Sequence, residues 1–299
     1  MKYPSDDPTS RATGVVLKNF LKEVRFYQSM QARLRVRTPR CYYAEIEGEG
    51  PNFAVMMEDL APARQGDQLA GCDARVARAA ALELVGLHAP LWCDQALLSN
   101  PWLRDLEALA QQGHNASALR AMYAEQLPGF LDRYGADLSA DQRDVIARVA
   151  ASADCPLYAP LPDRFSLVHV DYRLDNLMIA ERTGAPPEIT VVDWQSITLG
   201  APLNDVAYFL GGGMERAARQ AVEGDIVREY HAALMAAGVS DYAWDACWQD
   251  YRRGAFAGFG VTVIASMLVQ RTERGDQMFT TMARRHAQHA LDVGADEFL

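Results

Sequence analysis

The chain is short of cysteine and of basic charge, and both shortages narrow what it can be. Its five cysteines, Cys41, Cys72, Cys93, Cys155 and Cys247, are odd in number, scattered and never spaced as CxxC. This argues against a disulfide framework or a thiolate metal site and for reduced, mostly buried thiols in a cytosolic protein. Lys and Arg number 29 against 39 Asp and Glu, a formal charge of −10. No basic stripe offsets that balance, so no nucleic-acid partner is expected. The opening "MKYPSDDPTS" lacks the apolar core of a signal peptide. The longest apolar run, Gly254 to Val269, is glycine-rich and short for a bilayer span, so the expectation is a buried helix and no membrane partner.

What is present is enough apolar sequence, 49% of 299 residues, to bury one large or two modest domains. Helical spacing of apolar residues runs from Thr13 to Leu34. Two strands follow, Cys41–Ile46 and Phe53–Met57, joined by a turn at "EGEG". "EDLAPARQGDQLAG" is polar and punctuated by Pro and Gly, a connector between lobes. Helices are then expected over Asp73–Leu87 and Pro101–Gln112, the second with Asn100 as N-cap, and from "LSADQ", where Ser139 and Gln142 have capping-box spacing. A β-like patch covers Leu167–Val192, and helices fill the rest. The pattern is a small strand-containing N-terminal part and a larger helical C-terminal part.

Three signals are set aside. Gly211 to Gly213 lack the Lys-Ser/Thr and preceding strand of a phosphate loop and read as a flexible helix end. His286 and His289, three apart on a helix without an evident third ligand, read as a solvated face. Asn115-Ala-Ser117 fits a glycosylation acceptor only formally.

Chemistry concentrates in "LVHVDYRLDNLMI", Leu167 to Ile179. Two apolar runs, Leu177–Ala180 and Ile189–Val192, flank a Gly/Pro turn and predict an antiparallel hairpin. Asn176 precedes the first strand and Asp193 follows the second, so the open end brings an amide oxygen and a carboxylate together, with Asp171 just upstream. A few oxygen ligands of this kind suit Mg²⁺ held jointly with phosphate oxygens. Asx turn bonding is the plainer reading of the loop alone; Asp193 at the far end of the hairpin favours the metal–phosphate site.

His169-x-Asp171-x4-Asn176, followed by a strand ending in Asp193, resembles the catalytic loop and metal aspartate of kinase-fold phosphotransferases. More closely it resembles the aminoglycoside-phosphotransferase-like small-molecule kinases and, within them, the choline/ecdysteroid-kinase-like branch. The likeness continues through "RTPRCYYAE", "MMEDLAPARQGD", "VGLHAPLW" and "ITLGAPLNDVAYFL", over nearly the whole chain. It implies an α+β, protein-kinase-like two-lobe fold, with a truncated β-containing N-lobe over 1–60 and a mainly helical C-lobe over 61–299. It implies transfer of the γ-phosphate of ATP, with Mg²⁺, to a hydroxyl of a small molecule. Asp171 would be the catalytic base, Asn176 and Asp193 the Mg²⁺ ligands, His169 a shaping residue and Asp205 a buried brace of the loop. Arg173 falls where protein kinases carry a lysine facing the γ-phosphate, with a solvated arginine as the alternative. Glu58 and Leu60 fall in the hinge that meets adenine. The helices between Asp94 and Asp163, with the one around Tyr251–Arg271, would form the acceptor pocket.

The sequence departs from this pattern at Val170, where the family has glycine, and at Trp194-Gln195, which replace Phe-Gly after the metal aspartate. Glu23 lies on the apolar stripe of Val16, Phe20, Tyr27, Met30 and Leu34. A lone carboxylate there is costly unless it sits at the rim or is paired. The resemblance supplies a partner, the lysine that holds the α/β-phosphates, and Lys2 is the match. Because Lys2 is the second residue, the strands and glycine-rich loop that normally precede it fall outside this sequence. A start further upstream, a shortened kinase and a chance match on a disordered terminus are the three readings of that position. The competing functions are a kinase-fold binding protein with little turnover and an interaction protein. In the latter, the exposed N-lobe sheet edge would pair with another chain, such as a second copy.

Overall fold

The computed structural model describes residues 1–103 and 114–299. The expected helix over 101–112 therefore lies almost wholly outside the described residues; 101–103 form a turn.

The stretch expected as one helix from Thr13 to Leu34 is four pieces, the last a 3-10 turn over Gln31–Arg33. Helix α1 (Pro8–Val16) stops where Lys18 turns left-handed at φ 56°, and α2 (Asn19–Arg25) restarts in a new direction. A π-turn over Phe26–Met30 then inserts an extra residue. That insertion rotates the apolar face, so Phe26 and Tyr27, neighbours in sequence, are both buried. Phe26 stacks on Trp194 with centroids 3.9 Å apart, and Val16, nominally on the stripe, is left exposed.

Strands β1 (Cys41–Ile46) and β2 (Phe53–Met57) pair antiparallel from Ile46↔Phe53 outward, as the turn at "EGEG" requires. Lys2 bridges the other side of β2 through two backbone hydrogen bonds with Val55, of 2.8 and 2.9 Å. The connector that follows is not loose: β3 (Arg64–Gln65) lies against β5 (Leu177–Ala180), making a three-stranded sheet with β6 (Glu188–Val191). β5 and β6 form the predicted hairpin, in register Leu177↔Val191. A two-stranded ladder, β4 (Ser166–Val168) with β7 (Thr198–Gly200), brackets the loop between β4 and β5.

The rest is helical. Helix α3 (Ala74–His88) is capped by Asp73, whose side chain accepts the Val76 N–H. Helices α4 (His114–Tyr134) and α5 (Ala140–Ala151) follow, the latter with both bonds of the Ser139/Gln142 capping box. Helices α6 (Leu203–Gly213), α7 (Arg216–Ala236), α8 (Trp244–Gly254) and α9 (Glu273–Asp292) complete the lobe. The expected single helix from Gly254 to Val269 is instead two short turns about a π-helical stretch, Gly260–Ala265. One apolar cluster gathers Leu84, Val206, Leu210 and Ile226 beneath the β-hairpin side; a second gathers Phe130, Val145, Phe256 and Phe279.

Two expectations are corrected in this lobe. Gly211–Gly213 are buried, not a flexible end, and His286 and His289 are buried, not solvated. The two facts are one: a Cβ at Gly212 would lie 2.8 Å from His286 Nε2, and Cβ atoms at Gly211 and Gly258 would strike the His289 and His286 rings. The glycines make room for two imidazoles. Periodicity could not reveal this, because the cavity is formed by segments far apart in sequence. All five cysteines are free thiols, and no helix among the described residues is long and apolar enough to cross a membrane.

Candidate active site

The loop leaving β4 is shaped by one buried carboxylate. Asp205, on the first turn of α6, accepts the backbone N–H groups of His169 (2.7 Å) and Val170 (2.9 Å) and is reached by His88 Nε2 at 3.2 Å. Because a carboxylate only accepts, His88 carries its hydrogen on Nε2 and takes the Tyr230 hydroxyl on Nδ1, 2.6 Å away. Between these clamps Val170 sits at φ 71°, in the left-handed region that glycine enters freely and a β-branched residue resists. The departure noted in sequence is thus a real backbone demand, met by force from Asp205. His169 is fully buried; its Nε2 donates to the Val192 carbonyl at 3.1 Å, tying loop to hairpin, while Nδ1 has no partner among the described residues.

The turn beyond Val170 presents Asp171. Its Oδ1 accepts the Tyr208 hydroxyl at 2.9 Å, its Oδ2 accepts Asn176 Nδ2 at 2.9 Å, and Arg173 Nε lies 3.1 and 3.2 Å from the two oxygens. Arg173 also donates to Asp175 at 2.6 Å, which in turn holds Arg274 by two bonds of 3.1 Å. Arg173 is therefore neither solvated nor free: its side chain is 19% exposed and held by Asp171 and Asp175. Burial works against its charge, but Asp171, Tyr208 and Asp175 outweigh it and raise the guanidinium's pKa. For Asp175 burial pushes the other way, yet Arg274, the Gln68 N–H and Arg173 hold its carboxyl below the usual range.

The segment read as a connector straps this loop from outside. Gln68, 1% exposed, accepts the Leu174 N–H at 3.0 Å and donates to the Gly212 carbonyl at 2.9 Å, while its own N–H bonds Asp175 Oδ1. Gly66 packs so closely that a Cβ would lie 2.6 Å from the Leu174 carbonyl oxygen. Sequence reading missed Gln68 and Tyr208. Only Tyr208 left a signal, its position three residues after Asp205, which puts both on one face of a helix.

At the open end of the hairpin, the Val192 N–H bonds the Asn176 carbonyl at 3.0 Å, and Asp193 follows in left-handed conformation at φ 67°. Lys2 Nζ donates to Asp193 Oδ1 at 2.9 Å and makes a shorter bond to Glu23 Oε2. Lys2 thus joins α2 to the end of the β5–β6 hairpin. Glu23 is 1% exposed; burial pushes its carboxyl up to about 7, although Lys2 and the Trp194 N–H pull it down. Burial also opposes the Lys2 ammonium, but Glu23 and Asp193 prevail and its pKa is raised. Glu58 and Leu60 lie apart from this group, half-buried beyond β2; the Glu58 N–H is taken by the Arg40 carbonyl.

The residues present fit a divalent cation by donor chemistry. Asn176 Nδ2 donates to both the backbone carbonyl (2.8 Å) and Oδ2 of Asp171. Both partners are acceptors, which fixes the amide nitrogen there and turns the amide oxygen away from Asp171. One amide oxygen and the Asp193 carboxylate make a hard, incomplete oxygen set, suited to a cation whose remaining ligands are phosphate and water. In keeping with that incompleteness, no cluster of three His, Cys, Asp or Glu among the described residues could enclose a metal.

Comparisons with known proteins place the chain by fold and family. Solved structures similar in fold include an aminoglycoside 2'-phosphotransferase-IIIa in complex with GDP (14% identity, covering 95% of this chain and 84% of that one, TM-score 0.54). A microcompartment-associated aminopropanol kinase matches at 14% identity over 94% and 83% of the two chains, TM-score 0.53. A Plasmodium vivax ethanolamine kinase matches at 11% over 90% and 72%, TM-score 0.52. At these identities the likeness is one of fold. Mouse acyl-CoA dehydrogenase family member 10 is 45% identical over 53 residues, which are 18% of this chain and only 5% of that protein. The model of the phosphotransferase enzyme family, APH, matches residues 10–247, and the chain, with its kinase-like two-lobe fold, belongs to that family.

Proposed function

We propose that the chain is a small-molecule kinase that uses Mg²⁺ and ATP to phosphorylate a hydroxyl group, within the choline/ecdysteroid-kinase-like branch. The observation that carries this reading is the run of bonds that joins three segments: Lys2 to Glu23 and Asp193, Val192 beside Asp193 to Asn176, and Asn176 to Asp171. In it, Lys2 holds nucleotide phosphates and is itself held by Glu23, across a lobe boundary taken at 60/61, while the hinge at Glu58 and Leu60 faces adenine. Asn176 and Asp193 hold Mg²⁺, which neutralises phosphate charge. Asp171 orients the acceptor hydroxyl and takes its proton as the acceptor oxygen bonds to phosphorus and the bond to ADP breaks, leaving the electron pair on ADP.

One rearrangement is required. Both Asp171 oxygens already carry two donors each, counting Arg173 Nε on both. A hydroxyl can bond only where a donor leaves, and Arg173, a long side chain with affinity for phosphate, is the exchangeable one. Supporting an amino-alcohol or amino-sugar acceptor are the names of the structural neighbours, an aminopropanol kinase, an ethanolamine kinase and an aminoglycoside phosphotransferase. The test is ADP formation from Mg-ATP in the presence of ethanolamine, choline, aminopropanol and kanamycin in turn. Acceptor-dependent turnover that Asp171→Asn abolishes supports the reading; nucleotide binding with no turnover, unaltered by Asp171→Asn, would leave a binding protein.

A further inference from the structure

We infer that Tyr208 is a positioning residue that aims the Asp171 carboxylate at the acceptor, an inference that rests on the role of Asp171 proposed above. A carboxylate turns easily about its terminal bond, since that torsion is broad and roughly two-fold. Something must therefore fix its plane if one lone pair is to meet a hydroxyl. Of the three side chains that bond Asp171 among the described residues, Arg173 and Asn176 belong to the same loop and move with it. The third, Tyr208, comes from outside, from α6, and bonds Oδ1 at 2.9 Å.

Tyr208 is well placed to act as a fixed reference. It lies three residues after Asp205 on the same helix, so α6 grips the loop twice, its backbone through Asp205 and its carboxylate through Tyr208. The ring is 2% exposed and stacks on His286, centroids 5.1 Å apart and planes within 21°. His286 is in turn seated in the slot left by Gly212 and Gly258. Burial, with the nearby charge of Asp171, pushes the phenol well above its ordinary range, so the hydroxyl stays a donor. When Arg173 yields its place, Tyr208 and Asn176 remain, one on each oxygen, and the vacated directions are those left to the acceptor.

The test is Tyr208→Phe, which removes one oxygen and keeps the stack on His286. Steady-state transfer from Mg-ATP is measured with the best acceptor of the panel above and with water alone, beside melting followed by circular dichroism. The expected result is a fall in kcat on the order of tenfold, the cost of one hydrogen bond to a charged group. The KM for Mg-ATP stays within about twofold and the melting temperature within a few degrees, as a hydroxyl remote from nucleotide requires. An unchanged kcat overturns the inference. So does a fall matched by a rise in the KM for Mg-ATP or by a large loss of melting temperature, since Tyr208 would then be structural. Asp171→Asn is run beside it: retention of transfer there refutes the role of Asp171 itself, whereas its loss with Tyr208→Phe intact refutes only the role of Tyr208. A wild-type chain that transfers to neither acceptor nor water counts against both.

Discussion

Replacing Asp205 by alanine should loosen the loop that follows β4 from within, and the size of the effect follows from its partners. The side chain is 1% exposed and accepts from His169 N, Val170 N and His88 Nε2. Each hydrogen bond to a charged acceptor is worth about 1.5–3 kcal/mol, and a buried donor left unpaired costs about 1–3 kcal/mol. Holding a non-glycine residue left-handed costs roughly 1–2 kcal/mol, a strain at Val170 that the two backbone bonds together outweigh. Losing them releases that strain as the loop relaxes, which moderates the net loss to about 3–5 kcal/mol. Urea unfolding followed by circular dichroism measures it as a lower midpoint at unchanged slope. The strain adds a second arm. Val170→Gly removes it, so in the wild type this change costs less than about 1 kcal/mol despite glycine's greater unfolded-state entropy. In the Asp205→Ala background, where the loop has already relaxed, the same change gives no such relief, and the two substitutions are non-additive. An Asp205→Ala loss under about 1 kcal/mol, or strict additivity with Val170→Gly, would refute the reasoning.

Other outcomes follow from the same contacts. Lys2→Met leaves Glu23 buried without its cation, so its carboxyl, already raised to about 7, rises further. A raised carboxyl contributes stability that is present below its unfolded value and lost as pH rises through the folded one. The variant's melting temperature should therefore fall more, relative to wild type, at pH 8 than at pH 5, and an equal deficit at both would contradict the pairing. Gly258→Ala drives a methyl into the His286 ring and should cost about 1–3 kcal/mol by thermal melting, and an unchanged melting temperature would contradict the tight imidazole seat. Arg219, 1% exposed, bonds Glu223 at 2.8 Å and Asp292; Arg219→Met leaves Glu223 with the Tyr251 hydroxyl and Asp292 with Arg216, and should destabilise by about 1–3 kcal/mol in urea.

The hairpin, the polar loop before it and the capped helices were legible because their signals are local: alternation, a turn, a cap three residues from its partner. Glu23 stood out because a carboxylate on an apolar stripe needs an explanation, and Lys2 lies where that explanation requires. What could not be read depends on packing between distant segments. Nothing near Arg173 announces that Asp171 and Asp175 occupy it, nor does the polar "ARQGDQ" reveal that Gln68 is buried beneath the loop. The break at Lys18 and the π-turn at Phe26 escaped for a related reason. Helical periodicity tolerates a bend, and the stacking of Phe26 on Trp194, which rewards it, crosses most of the chain.

The central claim is that Asp171 serves phosphoryl transfer to a hydroxyl, and phosphorus NMR of the chain incubated with Mg-ATP and the acceptor panel tests it most directly. The account predicts a phosphomonoester resonance that grows in step with ADP for the wild type and is absent for Asp171→Asn. A phosphomonoester formed equally by Asp171→Asn, or nucleotide bound through Lys2 and Asp193 with no phosphoester from any acceptor, would contradict it.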